Sequence, residues 1–151
     1  MTRRIPRLLA RSPIPLYRQG LGWLFGPRMA MLEHRGRRSG QLRHVVLEVL
    51  ERDARVLVVV SGYGRASQWF RNIEVDPGVR IWTGRRRGVP ARAEILSAGE
   101  SRHLLERYRD RHPRAAARLG RILTMPDLSA AGPLAPDVGV RLPMVRIRYA
   151  D

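Results

Sequence analysis

The segment Gly36-Arg37-Arg38-Ser39-Gly40 concentrates three kinds of hydrogen-bond donor in five residues. Successive backbone amides in a tight turn form a concavity, two guanidiniums offer forked bidentate donors, and a hydroxyl adds a third type. That set suits a phosphate or a carboxylate, and the plain alternative is a hairpin tip with solvated arginines. A second cluster, Gly62-x-Gly64-x-x-Ser67, lies between an apolar strand and a short helical stretch. Glycine has no Cβ and a helix N-terminus offers unpaired N–H groups, so such a loop can cradle an anion or let a flat ring approach the backbone. As a dinucleotide fingerprint it is partial. The third glycine is missing, the next strands read as a hairpin rather than a parallel crossover, and no acid about 20 residues on is placed for a ribose.

Other chemistries find no anchor. His34, His44, His103 and His112 show no metal-ligand spacing, and no cluster of acids accompanies them. Ser61 precedes a glycine, yet the residues around it do not make the Gly-x-Ser-x-Gly elbow of a hydrolase nucleophile. Most of the 13 carboxylates fall in helix or turn positions, so a paired-carboxylate mechanism has nothing to stand on. If the chain is an enzyme, a bound cofactor supplies the chemistry.

The elements that must position these clusters read mostly as strands. Residues 29–35 and 42–51 form a hairpin around the basic turn, with Val45, Leu47 and Val49 on one face. Residues 56–61 include Val56-Leu57-Val58-Val59-Val60, a run too short for a helix and apolar on both faces, which predicts a central strand. After the glycine loop, residues 67–73 can make two helical turns before Pro77-Gly78. Residues 79–83 and 89–96 pair around Gly84-Arg85-Arg86-Arg87-Gly88 as a second hairpin. Ser97 with Glu100 is a capping box for a helix to about His112, Pro113 begins another through Leu123, and residues 126–139 read as a loop. Residues 142–149 alternate as a half-exposed strand. About six mostly antiparallel strands with helices inserted late predict a small barrel with flanking helices, mainly β within an α+β class.

The chain has 151 residues, one domain's worth, read as a basic amphipathic segment over 1–28 followed by a barrel domain over 29–151. Cysteine is absent, which excludes disulfides, thiolate zinc sites and cysteine nucleophiles. The net charge of +16 points to anionic partners, but all 29 basic residues are Arg, so an Arg-rich codon preference shares in it. Arg3, Arg4, Arg7 and Arg11 beside Leu8, Leu9, Trp23 and Phe25 fit either docking on the core or a reversible contact with an anionic membrane surface. No apolar run reaches the roughly 18 to 20 residues of a membrane span, and no signal peptide is evident. The expected location is cytoplasmic, with peripheral contact at the inner face of the plasma membrane. Nucleic acid is disfavoured, since only Tyr63 and Trp82 offer aromatics among the basic residues. A homodimer is compatible with the sequence.

Three stretches together add a further reading: Leu32-Glu33-His34-Arg35-Gly36-Arg37-Arg38-Ser39-Gly40-Gln41-x-Arg43, then Val58-Val59-Val60-Ser61-Gly62-x-Gly64, then Trp69-Phe70-Arg71-Asn72-Ile73-x-x-Asp76-Pro77-x-Val79. In order and spacing they resemble the deazaflavin-dependent nitroreductase family of actinobacteria, from about Tyr17 to Arg92. The resemblance implies a split β-barrel related to flavin-mononucleotide-binding barrels, holding the deazaflavin coenzyme F420 and passing a hydride from its reduced form to a small quinone, nitro or enone acceptor. It implies that Arg37, Arg38, Ser39 and Arg43 meet the coenzyme's phosphate and acidic tail, that Ser61, Gly62 and Gly64 lie along the ring, and that Trp69 and Asn72 shape the pocket. Gly62 stands where the family's nitroimidazole reductases usually carry Lys. The rival readings are a barrel for another ligand, such as FMN, haem or a lipid, and a binder of anionic surfaces.

Overall fold

The computed structural model describes residues 28–62, 64–123, 125–129 and 132–150. The amphipathic segment expected over 1–28 therefore lies, apart from Arg28, outside the described residues, as does Tyr63. Six strands follow the predicted order: β1 (Met29–Arg35), β2 (Leu42–Arg52), β3 (Val56–Val60), β4 (Gly78–Thr83), β5 (Arg86–Ile95) and β6 (Met144–Tyr149). They close into a barrel in the order β1-β2-β3-β6-β5-β4, every pairing antiparallel. Closure leaves no strand edge unpaired.

Alternate residues of all six strands fill the interior: Ala30 and Leu32, Leu47 and Val49, Leu57 and Val59, Val79 and Ile81, Ala91 and Ala93, Val145 and Ile147. The alanines leave room for Trp69, Phe70 and Ile73 of helix α1 (Gln68–Val75), which join the same cluster. Phe70 is wholly buried and contributes about 1.5–3 kcal/mol through that burial. The opposite faces of β2, β3 and β6 present Leu50, Val58, Val60 and Met144 to a helical layer of α2 (Ala98–Arg111) and α3 (Pro113–Leu123). The two-faced apolar run of β3 is thus buried on both sides, as its composition predicts.

Ser97 caps α2, its Oγ accepting from the Glu100 amide at 3.2 Å. Pro113 opens α3, where its missing N–H costs nothing.

Three expectations need correction. The stretch 126–139 is not all loop: a 3-10 turn spans Pro126–Leu128 and a short helix, α4, spans Val138–Arg141. Strand β6 starts at Met144, because Leu142 ends α4 and Pro143 has no N–H for a ladder. Strand β5 begins at Arg86 rather than after a five-residue turn. Gly84, at φ +56°, turns the chain early, and the Arg86 guanidinium stacks 4.3 Å above the Tyr149 ring.

The register places the β1–β2 turn, the loop after β3 and the start of β6 at one end of the barrel. The β2–β3 and β4–β5 turns lie at the other, where Arg86 donates to the Ala54 carbonyl and Arg52 to Thr83.

Candidate functional site

The basic turn is closed by its own backbone. The Gly36 amide donates to the Gln41 carbonyl and the Gly40 amide to the Gly36 carbonyl, each at 2.8 Å, and Gly40 takes a φ of +71°. Ser39 Oγ accepts from the Gln41 amide at 3.2 Å. A Cβ at Gly36 would come within 2.7 Å of that same Oγ and 3.5 Å of the Arg43 Nε, so glycine is what lets Ser39 and Arg43 crowd over the turn. Arg38, Ser39 and Arg43 are exposed. Arg37 is drawn inward: its amide donates to Asn72 Oδ1 at 3.1 Å and its Nη1 to the same oxygen at 2.9 Å.

The glycine loop is built by Ser61, which is wholly buried. Its hydroxyl donates to the Gly64 carbonyl at 2.7 Å and lies 3.2 Å from Ser67 Oγ. Its amide reaches the Pro143 carbonyl at 2.9 Å. Gly64 has a φ of +72°, a left-handed conformation that any side chain would strain. At Gly62 an added Cβ would stand 3.0 Å from Leu123 Cδ2, so α3 backs the loop on one side. The Ser67 side chain bonds Ser61 and makes no cap hydrogen bond to α1.

Helix α1 therefore ties the two clusters together, through Ser67 at its start and Asn72 at its middle. Asn72, 2 % exposed, turns its amide nitrogen to His34 Nδ1 at 2.9 Å. His34 is 4 % exposed, and burial foremost, with the charges of His44 and Arg43, holds its pKa down to about 4. It is neutral at neutral pH. His34 shares the inward face of β1 with Ala30 and Leu32, and a polar residue at such a position was the signal available in the sequence for a buried polar contact.

Of the nine residues expected in a site, Arg37, Arg38, Ser39, Arg43, Ser61, Gly62, Gly64 and Asn72 converge on this end of the barrel. Trp69 is packed in the barrel interior, edge-on to Phe70 with ring centroids 5.9 Å apart. The remaining histidines are engaged elsewhere. His44 pairs with Glu33 at 3.0 Å and meets Trp82 edge-on, His103 lies 3.7 Å from Glu106, and His112 leans on Tyr108. Among the described residues no three His, Cys, Asp or Glu side chains gather as a metal-binding group.

The sequence profile of the F420H(2)-dependent quinone reductases matches residues 17–125, a span that contains both clusters and α1. The chain belongs to the F420H(2)-dependent quinone reductase family. Like its family it is an F420-dependent oxidoreductase, and F420 is its coenzyme. Rv3178 of Mycobacterium tuberculosis strain H37Rv, assigned to the F420H(2)-dependent quinone reductases, is 35 % identical over 92 residues, which cover 60 % of this chain and 76 % of that protein.

Solved structures share the barrel. An F420-H2 dependent reductase, FDR-A, superposes with a TM-score of 0.51 at 17 % identity, covering 80 % of this chain and 94 % of that one. A protein from Listeria innocua described as a pyridoxamine 5'-phosphate oxidase gives 0.55 at 11 % identity over 90 % and 94 %.

The residues present suit this family's coenzyme, a flat ring carrying an anionic arm. Among the described residues no acidic side chain pairs with Arg37, Arg38 or Arg43. Gly36 leaves a hollow that a Cβ would fill, and Gly62 and Gly64 leave the loop backbone bare for close approach.

Proposed function

We propose that the β1–β2 turn, the 61–67 loop and α1 together hold F420. In this reading Arg38, Ser39 and Arg43 meet the coenzyme's phosphate and acidic tail. Arg37 stands beside them under the control of Asn72, and Ser61, Gly62 and Gly64 form the ledge along the deazaflavin ring. The observation that carries the reading is a pair of exposed guanidiniums, Arg38 and Arg43, without acidic partners among the described residues and clustered on a turn that Gly36 keeps open.

When bound in its reduced form, the coenzyme supplies a hydride. The protein's own task is then to hold donor and acceptor at near-attack distance and to exclude water, which requires no nucleophile and no metal. The interior packing of Trp69 and Phe70 fixes α1, and α1 in turn fixes the turn and the loop. The acceptor we assign is a quinone, supported by the family's activity and by the mycobacterial relative.

A fluorescence titration with F420 tests the binding half. Changing Arg38 and Arg43 to Ala together weakens binding by about 2 to 4 kcal/mol if charge-assisted contacts to phosphate are lost. An anaerobic assay with reduced F420 tests the acceptor, a soluble naphthoquinone being reduced faster than a nitroimidazole. Wild-type protein that binds no F420, or a double variant that binds as tightly as wild type, refutes the assignment of the turn. A preference for the nitro compound refutes the quinone.

A further inference from the structure

We propose that His34 is a positioning residue for the coenzyme's anionic arm: through Asn72 it sets the orientation of the Arg37 guanidinium and of the β1–β2 turn. The proposal rests on the reading above that this turn takes the phosphate.

The chemistry of the three side chains leaves one arrangement. A guanidinium only donates, and the Arg37 amide also only donates, so the Asn72 atom that receives both must be the oxygen. The amide nitrogen then faces His34 at 2.9 Å, and because it too only donates, His34 Nδ1 must carry no proton. The ring is therefore neutral with its hydrogen on Nε2. A protonated ring would set two donors against each other inside the protein.

Burial gives the chain its leverage. Asn72 and His34 are 2 % and 4 % exposed, so water cannot replace a lost acceptor. Without His34 Nδ1, the Asn72 amide group must turn to find an acceptor, and its oxygen leaves the two N–H groups of Arg37. The contact spans 38 residues of sequence, from β1 to α1, and returns to the turn only two residues after β1 ends. His34 thus acts on the ligand through Asn72 and Arg37 rather than by touching it.

The test uses the full-length protein, two variants and two ligands. In His34→Asn the new amide oxygen falls close to the place of Nδ1, whereas His34→Leu supplies no acceptor. F420 carries the phosphate, and the phosphate-free ribityl form of the same deazaflavin does not. His34→Leu is expected to weaken F420 about tenfold while leaving the phosphate-free ribityl form within about twofold of wild type, and His34→Asn to restore F420 to within about threefold. His34→Leu binding F420 as wild type does, or folded His34→Leu losing both ligands equally, overturns the proposal. If His34→Leu does not fold, 15N NMR of the wild-type histidines decides: an unprotonated Nδ1 at neutral pH upholds the triad, and a protonated one overturns it. The Arg38→Ala/Arg43→Ala variant separates the two readings, since unchanged F420 affinity there removes the phosphate from the turn whatever His34 does.

Discussion

His34 shows how a residue almost wholly buried acquires a pH signature. In the unfolded chain its imidazole titrates near 6.5, and in the folded protein, chiefly because of burial, only near 4. Between those values the unfolded state binds more protons. Stability contributed by the neutral ring is therefore intact above about pH 6.5, falls as pH drops toward 4, and is lost by up to about 3 kcal/mol below that. Urea unfolding of wild type and His34→Asn between pH 7 and 4.5 should show the wild type losing more stability on acidification; parallel curves would contradict it. The Gly-Arg-Arg-Ser-Gly turn was legible in the sequence because its donors are neighbours along the chain. The Asn72–His34 contact was not, because residues in different elements meet only through the fold. Trp69 lay between these cases, an aromatic whose type suits a pocket wall or a core equally, and packing placed it in the core.

At the scale of elements, α4 is the α-helix the sequence concealed. Val138-Gly139-Val140-Arg141 has a glycine and two β-branched residues in four, a composition that argues against a helix. Tertiary packing outweighs it, since a Cβ on Gly139 would run into the backbone of Ala98, its carbonyl oxygen above all. The glycine is there to let α4 lie against the start of α2. The contact bears on the site, because the Arg141 carbonyl passes 3.4 Å from where a Gly64 Cβ would be, and Pro143 receives the Ser61 amide. Gly139→Ala should cost about 1–3 kcal/mol by overpacking, measurable as a lower melting temperature, and should weaken F420 binding as the loop shifts. A variant as stable as wild type would show that α4 yields freely. The strands, by contrast, were readable to within a few residues from alternation and glycine turns, and β5 was misjudged only where a stacked arginine extended it.

Across the whole molecule, hairpins follow from sequence order and a barrel was expected, but which distant strands close it was not. The pairings β1–β4 and β3–β6 join segments far apart in the chain, and only a two-faced strand such as β3 announced that something must cover its second side. The net charge likewise says nothing about place. The turn with Arg38 and Arg43 lies at one end of the barrel, while Arg52 and Arg86 mark the other, so the site draws on a small part of the total. Helix α1, fastened to the loop by Ser67 and to the turn by Asn72, has a consequence for fluctuation. A helix of 8 residues has little stability of its own, so its excursions to open forms are governed by those two fastenings and by Trp69 and Phe70 beneath it. An open α1 releases both halves of the proposed cradle at once, and ligand that binds only the closed form must suppress the opening. With F420 at about 100 times its dissociation constant, amide hydrogen exchange across residues 68–75 should slow by up to about 100-fold, even though the polar contacts proposed for the ligand lie mostly on the turn. Slowing confined to residues 36–43 would mean that turn and helix breathe separately. If they breathe together, the enzyme without its coenzyme is an ensemble in which the binding surface repeatedly disassembles and re-forms, and the rate of that re-forming limits how fast a fresh coenzyme can be captured.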